Sequence, residues 1–392
     1  MTFTNKAARE MRERVEILVG TAAAQGMWIG TFHSLCGRLL RSEGAAIGIA
    51  SNFVIYDSAD QLSTLRTLLK KRNVDEKVFR PAAILGAISK AKERLLSPSE
   101  FRSIAIHPLD QIAADLFAEY EEELRRANAL DFDDLLVFAY RLLEGSPEVR
   151  TKYQERFLHV LVDEYQDVNL AQYLIVQTLG AKHRNVVVVG DDDQSIYGWR
   201  GADVALILRF SADYPDAKVV KLERNYRSTK TILAGANAVI QHNQGRAGKN
   251  LWTENSEGAL IKLIEAGSEH DEAALVLDAI QREVNAGRRR YGDFAVLYRM
   301  NAQSRVLEEA FLGGRIPHLL LGGTRFYQRK EVKEMLSYLR LTHNPRDDAS
   351  FRRVYNAPSR GIGTTSLGII EARAAQLDVP LLDVITDQEL QG

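Results

Sequence analysis

Short apolar runs recur along this chain, each closing on a polar segment and followed by an amphipathic helix, and this alternation constrains the fold more than any other feature. A parallel strand needs a crossover, usually helical, before its neighbour, so the pattern is that of an α/β protein with a largely parallel sheet. Strands are expected at 28–32, 160–162, 186–189, 219–222, 261–264 and 294–297. Ligands of such sheets bind at the carboxyl ends of the strands. Those ends are where chemistry is to be sought.

Residues 57–156 break the alternation. Ile112, Leu116, Tyr120 and Leu124 recur at helical spacing, as do Leu135, Phe138 and Leu142, so the segment reads as a helical excursion. Self-packing and contact with a nucleic acid are both open to it. The length of 392 residues suits two or three domains. Lys and Arg total 51 against 52 for Asp and Glu, which argues against a generally basic binder but leaves room for a local channel. Cys36 is the only cysteine, so neither an intrachain disulfide nor a cysteine-built zinc site is supported, and a reducing, cytoplasmic setting is expected. No apolar run reaches about 18 residues, and the opening Met1 to Lys6 has no apolar targeting core. Arg288, Arg289 and Arg290 form a basic run read as a solvated turn.

Two strand ends carry the candidate chemistry. The run 160–162 leads into Asp163 and Glu164. Neighbours on a strand point to opposite sides, so two adjacent carboxylates can take different tasks: one holding Mg²⁺, the other positioning a water. An unadorned acidic strand end has the same appearance. The second run leads through Gly190, Asp191, Asp192 and Asp193 to Gln194, Tyr197, Trp199 and Arg200. The amide suits a phosphate or a water, the aromatics suit stacking on bases, and the guanidinium suits a backbone phosphate. Gly198 and Gly201 around the Trp-Arg pair favour an open loop over a packed strand.

With these segments in view the chain resembles the UvrD/PcrA/Rep family of superfamily 1 DNA helicases. LVDEYQDVN (161–169) resembles that family's Walker B motif, VVGDDDQSIYGWRGA (188–202) the motif between nucleotide site and single-stranded DNA, and LERNYRST (222–229) the opening motif of the second motor domain. TFTNKAAREM (2–11), GTFHSLCGRLLR (30–41), LDFDDLL (130–136), YRMNAQSR (298–305) and NAPSRGIG (356–363) also fit, in the family's order. The resemblance implies RecA-like parallel-sheet motor domains with a helical insertion: 1–56 with 157–222 as the first motor domain, 57–156 as the insertion, 223–356 as the second motor domain, and 357–392 as the start of a second helical insertion.

It also implies roles. Asp163 is expected to hold Mg²⁺, Glu164 to act on the hydrolytic water, Gln194 to sense the γ-phosphate of ATP, Tyr226 to stack on adenine, and Arg227 to reach the γ-phosphate. Single-stranded DNA is expected at Phe3, Tyr197, Trp199, Arg200, Arg299 and Asn301, with Thr31, His33 and Ser34 on its backbone; a capping or core-edge histidine is the other reading of His33. The expected partner is single-stranded or 3′-tailed duplex DNA.

Such a motor needs G-x-x-x-x-G-K-S/T to cradle phosphates. The one Gly-Lys pair, Gly248-Lys249, is followed by Asn250, and position 243 is Asn. In the family that loop precedes the strand leading into 2–5, and late motifs follow the fourth domain. The chain therefore reads as a helicase truncated at both ends, without ATPase activity of its own; a degenerate DNA-binding or partner-binding subunit is the alternative. Locally, Thr4 is placed to cap a helix with Ala8, Met11, Val15 and Leu18 on one face, and Ser228 and Thr229 to open the helix carrying Ile232 and Val239.

Overall fold

The structure, a computed structural model, describes residues 1–243, 245–321 and 330–386; the last six residues of the expected second insertion lie outside this set. Contacts divide the chain into two compact units. One is Met1–Lys221 with Asn243–Gly248 and Lys330–Gly392, and the other is Leu222–His242 with Lys249–Arg329.

In the first unit, α1 (Asn5–Val19) starts where Thr4 accepts the Ala7 N–H at 3.1 Å. Its expected apolar face fades along its length: Ala8 is buried, Met11 and Val15 are half-buried, and Leu18 is 81% exposed. The strand expected at 28–32 shrinks to one parallel bridge between Thr2 and Thr31. The reason is local: Thr31 accepts the Ser34 N–H and so caps α2 (Phe32–Glu43), which takes Phe32 into a helix.

The helical excursion follows as α3 (Ser58–Lys71), α4 (Pro81–Glu93), α5 (Pro108–Arg126) and α6 (Phe132–Gly145). Leu116, Tyr120 and Leu124 are buried on the face their spacing requires, packed with Leu65, Ile84 and Ile88. Each such side chain contributes about 1.5–3 kcal/mol. Two short strands, β1 (Val54–Ile55) just before the excursion and β2 (Ala129–Leu130) within it, pair in parallel. Within this core the Lys92 ammonium donates to Asp131 at 2.7 Å and Asp134 at 2.6 Å, and the Tyr120 hydroxyl donates to Asp131 at 3.0 Å. Burial pulls the lysine pKa down, but the two carboxylates outweigh it and hold it above its ordinary value.

The motif-bearing sheet is β3 (Val160–Val162) beside β4 (Val186–Val188), parallel, with Val160 opposite Val186 and Val162 opposite Val188. Helix α7 (Leu170–Gly180) makes the crossover, opened by Asn169 and Gln172 in reciprocal side-chain-to-backbone bonds. Val160 and Val162 enter a core with Leu40, Leu142 and Val176, whereas Leu161 and Val187 face outward.

The second unit contains α8 (Lys230–Ile240), α9 (Glu269–Asn285) and α10 (Ser304–Gly313). Its core is small: Ile280, Phe311 and Ile316, with partly buried Val276, Leu277 and Val296 around them. Three expected strands fail here and at the unit boundary. Among the described residues, 219–222, 261–264 and 294–297 form no ladder; Arg224 and Trp252 make a single bridge instead. Leu263 is 97% and Leu297 92% exposed. Helix α8 starts directly after Thr229, as expected, and buries Leu233 while Ile232 and Val239 are exposed.

Residues 330–386 pack in the first unit. Helices α11 (Lys330–His343) and α12 (Asp348–Val354) are joined to the excursion by buried polar bonds. Asp60, fully buried, accepts from Arg340 at 2.8 Å and Arg353 at 2.7 Å. Tyr56 donates to Asp347 at 3.1 Å, and the Asn344 amide to the Ala127 carbonyl at 2.7 Å. These partners lie more than 200 residues apart in sequence, a separation that no local pattern reveals. No helix among the described residues is long and apolar enough to cross a membrane.

Candidate nucleotide and DNA site

Strand β3 delivers Asp163 and Glu164 to its carboxyl end. Glu164 adopts φ 53°, ψ 44°, a left-handed conformation that costs a non-glycine residue on the order of 1 kcal/mol. Asp163 accepts the Glu164 N–H at 3.1 Å.

The buried Gln166 then links two strand ends. Its Nε2 donates to Glu164 Oε2 at 2.8 Å, its Oε1 accepts the Asp191 N–H at 2.9 Å, and its carbonyl accepts the Ser195 hydroxyl at 3.2 Å. Asp191 in turn accepts the Gln194 Nε2 at 2.8 Å and the Asp193 N–H at 2.9 Å. Glu164, Gln166, Asp191 and Gln194 thus form one hydrogen-bonded row. Gly190 permits it: a Cβ there would lie 2.7 Å from Gln166 Oε1 and 2.8 Å from Ile207 Cδ1. Burial, reinforced by the Glu164 charge, pushes the Asp167 carboxyl up to about 6.

Asp191, Asp192 and Asp193 bring carboxylate oxygens within 4.8 Å of one another. Each has a protein partner. Beyond the Asp191 bonds, Asp192 accepts the Ala247 N–H at 2.9 Å and Asp193 receives Arg246 through two bonds, 2.7 Å from Nε and 2.6 Å from Nη2. The sequence offered no sign of Arg246, which lies 53 residues away. Gln166 sat unremarked inside a motif.

The same loop carries rings that form a tilted row with Phe3. Phe3 and Tyr197 have centroids 4.9 Å apart, Tyr197 and Trp199 6.3 Å, and the Arg200 guanidinium lies 4.5 Å from the Trp199 ring centre and 5.5 Å from that of Tyr197. Trp199 is 66% exposed. Gly201 closes the loop at φ 75°, where an added Cβ would meet the Glu93 carboxylate at 2.4 Å. Burial first, then the Asp133 charge, raises Glu93 to about 7. Thr31 is buried with its hydroxyl accepting the Ser34 N–H, and the Ser34 hydroxyl donates to the Thr31 carbonyl at 2.8 Å. Both hydroxyls are therefore engaged within the helix turn. Burial lowers the His33 pKa, favouring the neutral ring, which packs edge-on against the exposed Phe132 at 6.0 Å. Phe132 is an aromatic surface that the sequence reading did not single out.

Tyr226, Arg227, Arg299 and Asn301 belong to the second unit. Tyr226 is 75% exposed, with the Arg224 guanidinium 4.8 Å from its ring centre. Arg227 is fixed through its backbone, its N–H donating to Asn225 Oδ1 at 2.9 Å, which leaves the side chain exposed. Gln303 Oε1 accepts the N–H groups of Arg299 and Met300, shaping the turn before Asn301. Hard oxygen donors suit a Mg²⁺–phosphate group, and Asp163 and Glu164 offer them, with Glu164 linked to the Gln194 amide through Gln166 and Asp191.

Comparison with known proteins gives the family. Residues 1–215 match the UvrD/REP helicase N-terminal domain and residues 220–392 the UvrD-like helicase C-terminal domain. The chain is 51% identical over 375 residues to the ATP-dependent DNA helicase PcrA of Bacillus subtilis (strain 168), covering 96% of this chain and 51% of the relative. The helicase of the same name from Staphylococcus aureus (strain Mu50) is 47% identical across all 392 residues, and that from Staphylococcus epidermidis 48%, with 53% and 54% of those relatives covered. The chain spans about half the length of the curated relatives it matches. With both domain descriptions together spanning nearly every residue, the chain belongs to the UvrD-like helicase family.

Proposed function

We propose that this chain is part of an ATP-dependent DNA helicase that moves 3′ to 5′ on single-stranded DNA, or on the tail of a 3′-tailed duplex. Residues 1–56 with 157–222 serve as its first motor domain, 57–156 as a helical insertion, 223–356 as the second motor domain, and 357–392 as the start of another insertion. Asp163 holds Mg²⁺, Glu164 orients the attacking water, Gln194 and Arg227 meet the γ-phosphate, and Tyr226 stacks on adenine. Bound Mg²⁺ supplies charge neutralisation at the phosphates. Phe3, Tyr197, Trp199 and Arg200 stack on or clasp unpaired bases and their phosphates; Thr31, His33, Ser34, Arg299 and Asn301 complete the track.

The observation that carries this reading is the hydrogen-bonded row from Glu164 to Gln194, continuous in sequence with the Tyr197, Trp199 and Arg200 stack. A group that reacts to phosphate and a group that stacks on bases share one short loop. Fluorescence anisotropy with a labelled oligothymidylate tests it. Trp199→Ala is expected to weaken binding about tenfold, within the range for one stacked base, and binding is expected to fall with salt. Undiminished affinity in that variant removes the support.

A second reading, a DNA-binding or partner-binding subunit without catalysis, is favoured by one feature: this sequence contains no G-x-x-x-x-G-K-S/T. On either reading the chain alone gives no DNA-stimulated ATP hydrolysis. Turnover that Glu164→Gln abolishes would contradict both statements of inactivity.

A further inference from the structure

We propose that Arg246 is a positioning residue for the loop 190–201, seating through Asp193 the turn that carries Gln194 and leads into Tyr197, Trp199 and Arg200. What the loop binds rests on the helicase reading above; the seat itself does not.

Three consecutive acids in a one-turn helix (Asp192–Gln194, preceded by Asp191) repel one another unless each finds a donor. Asp191 is satisfied within the loop, by Asp193 N–H and Gln194 Nε2. Asp192 and Asp193 take donors from outside it, the Ala247 N–H and the Arg246 guanidinium. The two-point Arg246–Asp193 bond fixes the carboxylate in orientation as well as position, which a single ammonium cannot do. With side-chain exposures of 20% and 10%, the pair is shielded well beyond the solvated surface pairs that contribute little. The donor segment is itself held, because the Lys221 ammonium donates to the Gly248 carbonyl at 2.6 Å.

The two partners come from different family regions. Asp193 lies in the part matching the N-terminal helicase domain and Arg246 in the part matching the C-terminal one. The seat of the loop is therefore incomplete without a residue from the second region. Loss of that residue removes both guanidinium bonds from the Asp193 carboxylate, and the turn holding Gln194 loosens together with the aromatic row that follows it.

Hydrogen exchange of peptides spanning 190–201, read by mass spectrometry beside oligothymidylate anisotropy, tests the idea on this chain. In Arg246→Ala, exchange across 191–201 is expected to rise roughly tenfold while α5 and α6 keep their protection. The oligonucleotide Kd is expected to rise roughly threefold to tenfold. Arg246→Lys should stay closer to Arg246→Ala than to wild type, because charge without the fork does not orient the carboxylate. Unchanged exchange in the loop of Arg246→Ala overturns the proposal. Should that variant lose protection throughout, Asp193→Asn decides by the same loop-specific criterion. A wild-type chain that ignores the oligonucleotide defeats the DNA reading, and the exchange result still judges the seat.

Discussion

The helical excursion and the second unit use similar apolar material to different effect. In the excursion, Leu65, Ile84, Ile88, Leu116 and Phe117 are sealed from solvent around a charge cluster at Lys92. In the second unit, Ile261, Leu263 and Ile264, with Lys262 among them, stand mostly in solvent, and the largest buried cluster among its described residues is Ile280, Phe311 and Ile316. Helices close in sequence pair most of their faces with one another, with Ala349 and the Asp60 partners joining from afar. A strand needs a neighbour's backbone for its ladder and another layer for its side chains. Apolar character alone supplies neither.

The largest effect that sharpens this contrast is expected from Lys92→Met. It strands Asp131 and Asp134 in a dry core, and removal of one partner from a buried ion pair costs about 3–5 kcal/mol. Urea unfolding monitored by far-ultraviolet circular dichroism reads the loss; a change below about 1 kcal/mol would show that the cluster is solvated and the contrast overdrawn. Next comes Arg340→Ala, expected to cost about 2 kcal/mol, because Asp60 keeps Arg353 but loses one of its two charged donors. The same melts measure it, and hydrogen exchange should rise in α11 before α5.

A smaller effect depends on pH. The folded chain keeps the Glu93 proton up to about pH 7, whereas the ordinary value is 4.5. Between those values the folded state binds more protons, so this group's contribution to stability falls as pH rises through the window and is unpenalised below it. Glu93→Gln should therefore stabilise the chain at pH 8 and leave it unchanged near pH 4. The gain is set at about 1 kcal/mol, reduced for the solvent that reaches this half-buried carboxyl. Equal urea midpoints at both pH values would dismiss the shift. The smallest effect belongs to Leu263→Ser, at a side chain already in water, with less than about 0.5 kcal/mol expected. A loss of several kcal/mol there would mean that 261–264 is covered in solution, and would break the comparison between the regions.

Much of the candidate site was legible because its signals are local. A three-residue apolar run, an acid pair and a crossover helix follow in order along 160–180, and the structure returns β3, Asp163–Glu164 and α7 in that order. Thr4 capped its helix because hydroxyl and amide lie three residues apart. The ring row was half visible: Tyr197, Trp199 and Arg200 are neighbours in sequence, while the approach of Phe3 needed the fold. The Thr31 hydroxyl accepts the Ser34 N–H and the Ser34 hydroxyl donates to the Thr31 carbonyl in the first turn of α2, bonds that a spacing of three residues permits.

By itself, then, the amino-acid order determined the helices and their caps, the acidic strand end, the aromatic loop, and the family to which all of these belong. Each depends on residues within a few positions of one another, where propensity and spacing act directly. The tertiary structure alone decided which apolar runs find a ladder, that Gln166 joins Glu164 to the loop of Gln194, that Asp60 is held by Arg340 and Arg353, and that Asp193 is gripped by Arg246. Those outcomes depend on burial and on directional bonds between chain segments far apart in sequence. A carboxylate's partner is chosen by what comes within about 3 Å of it in space, a distance that position along the chain does not encode.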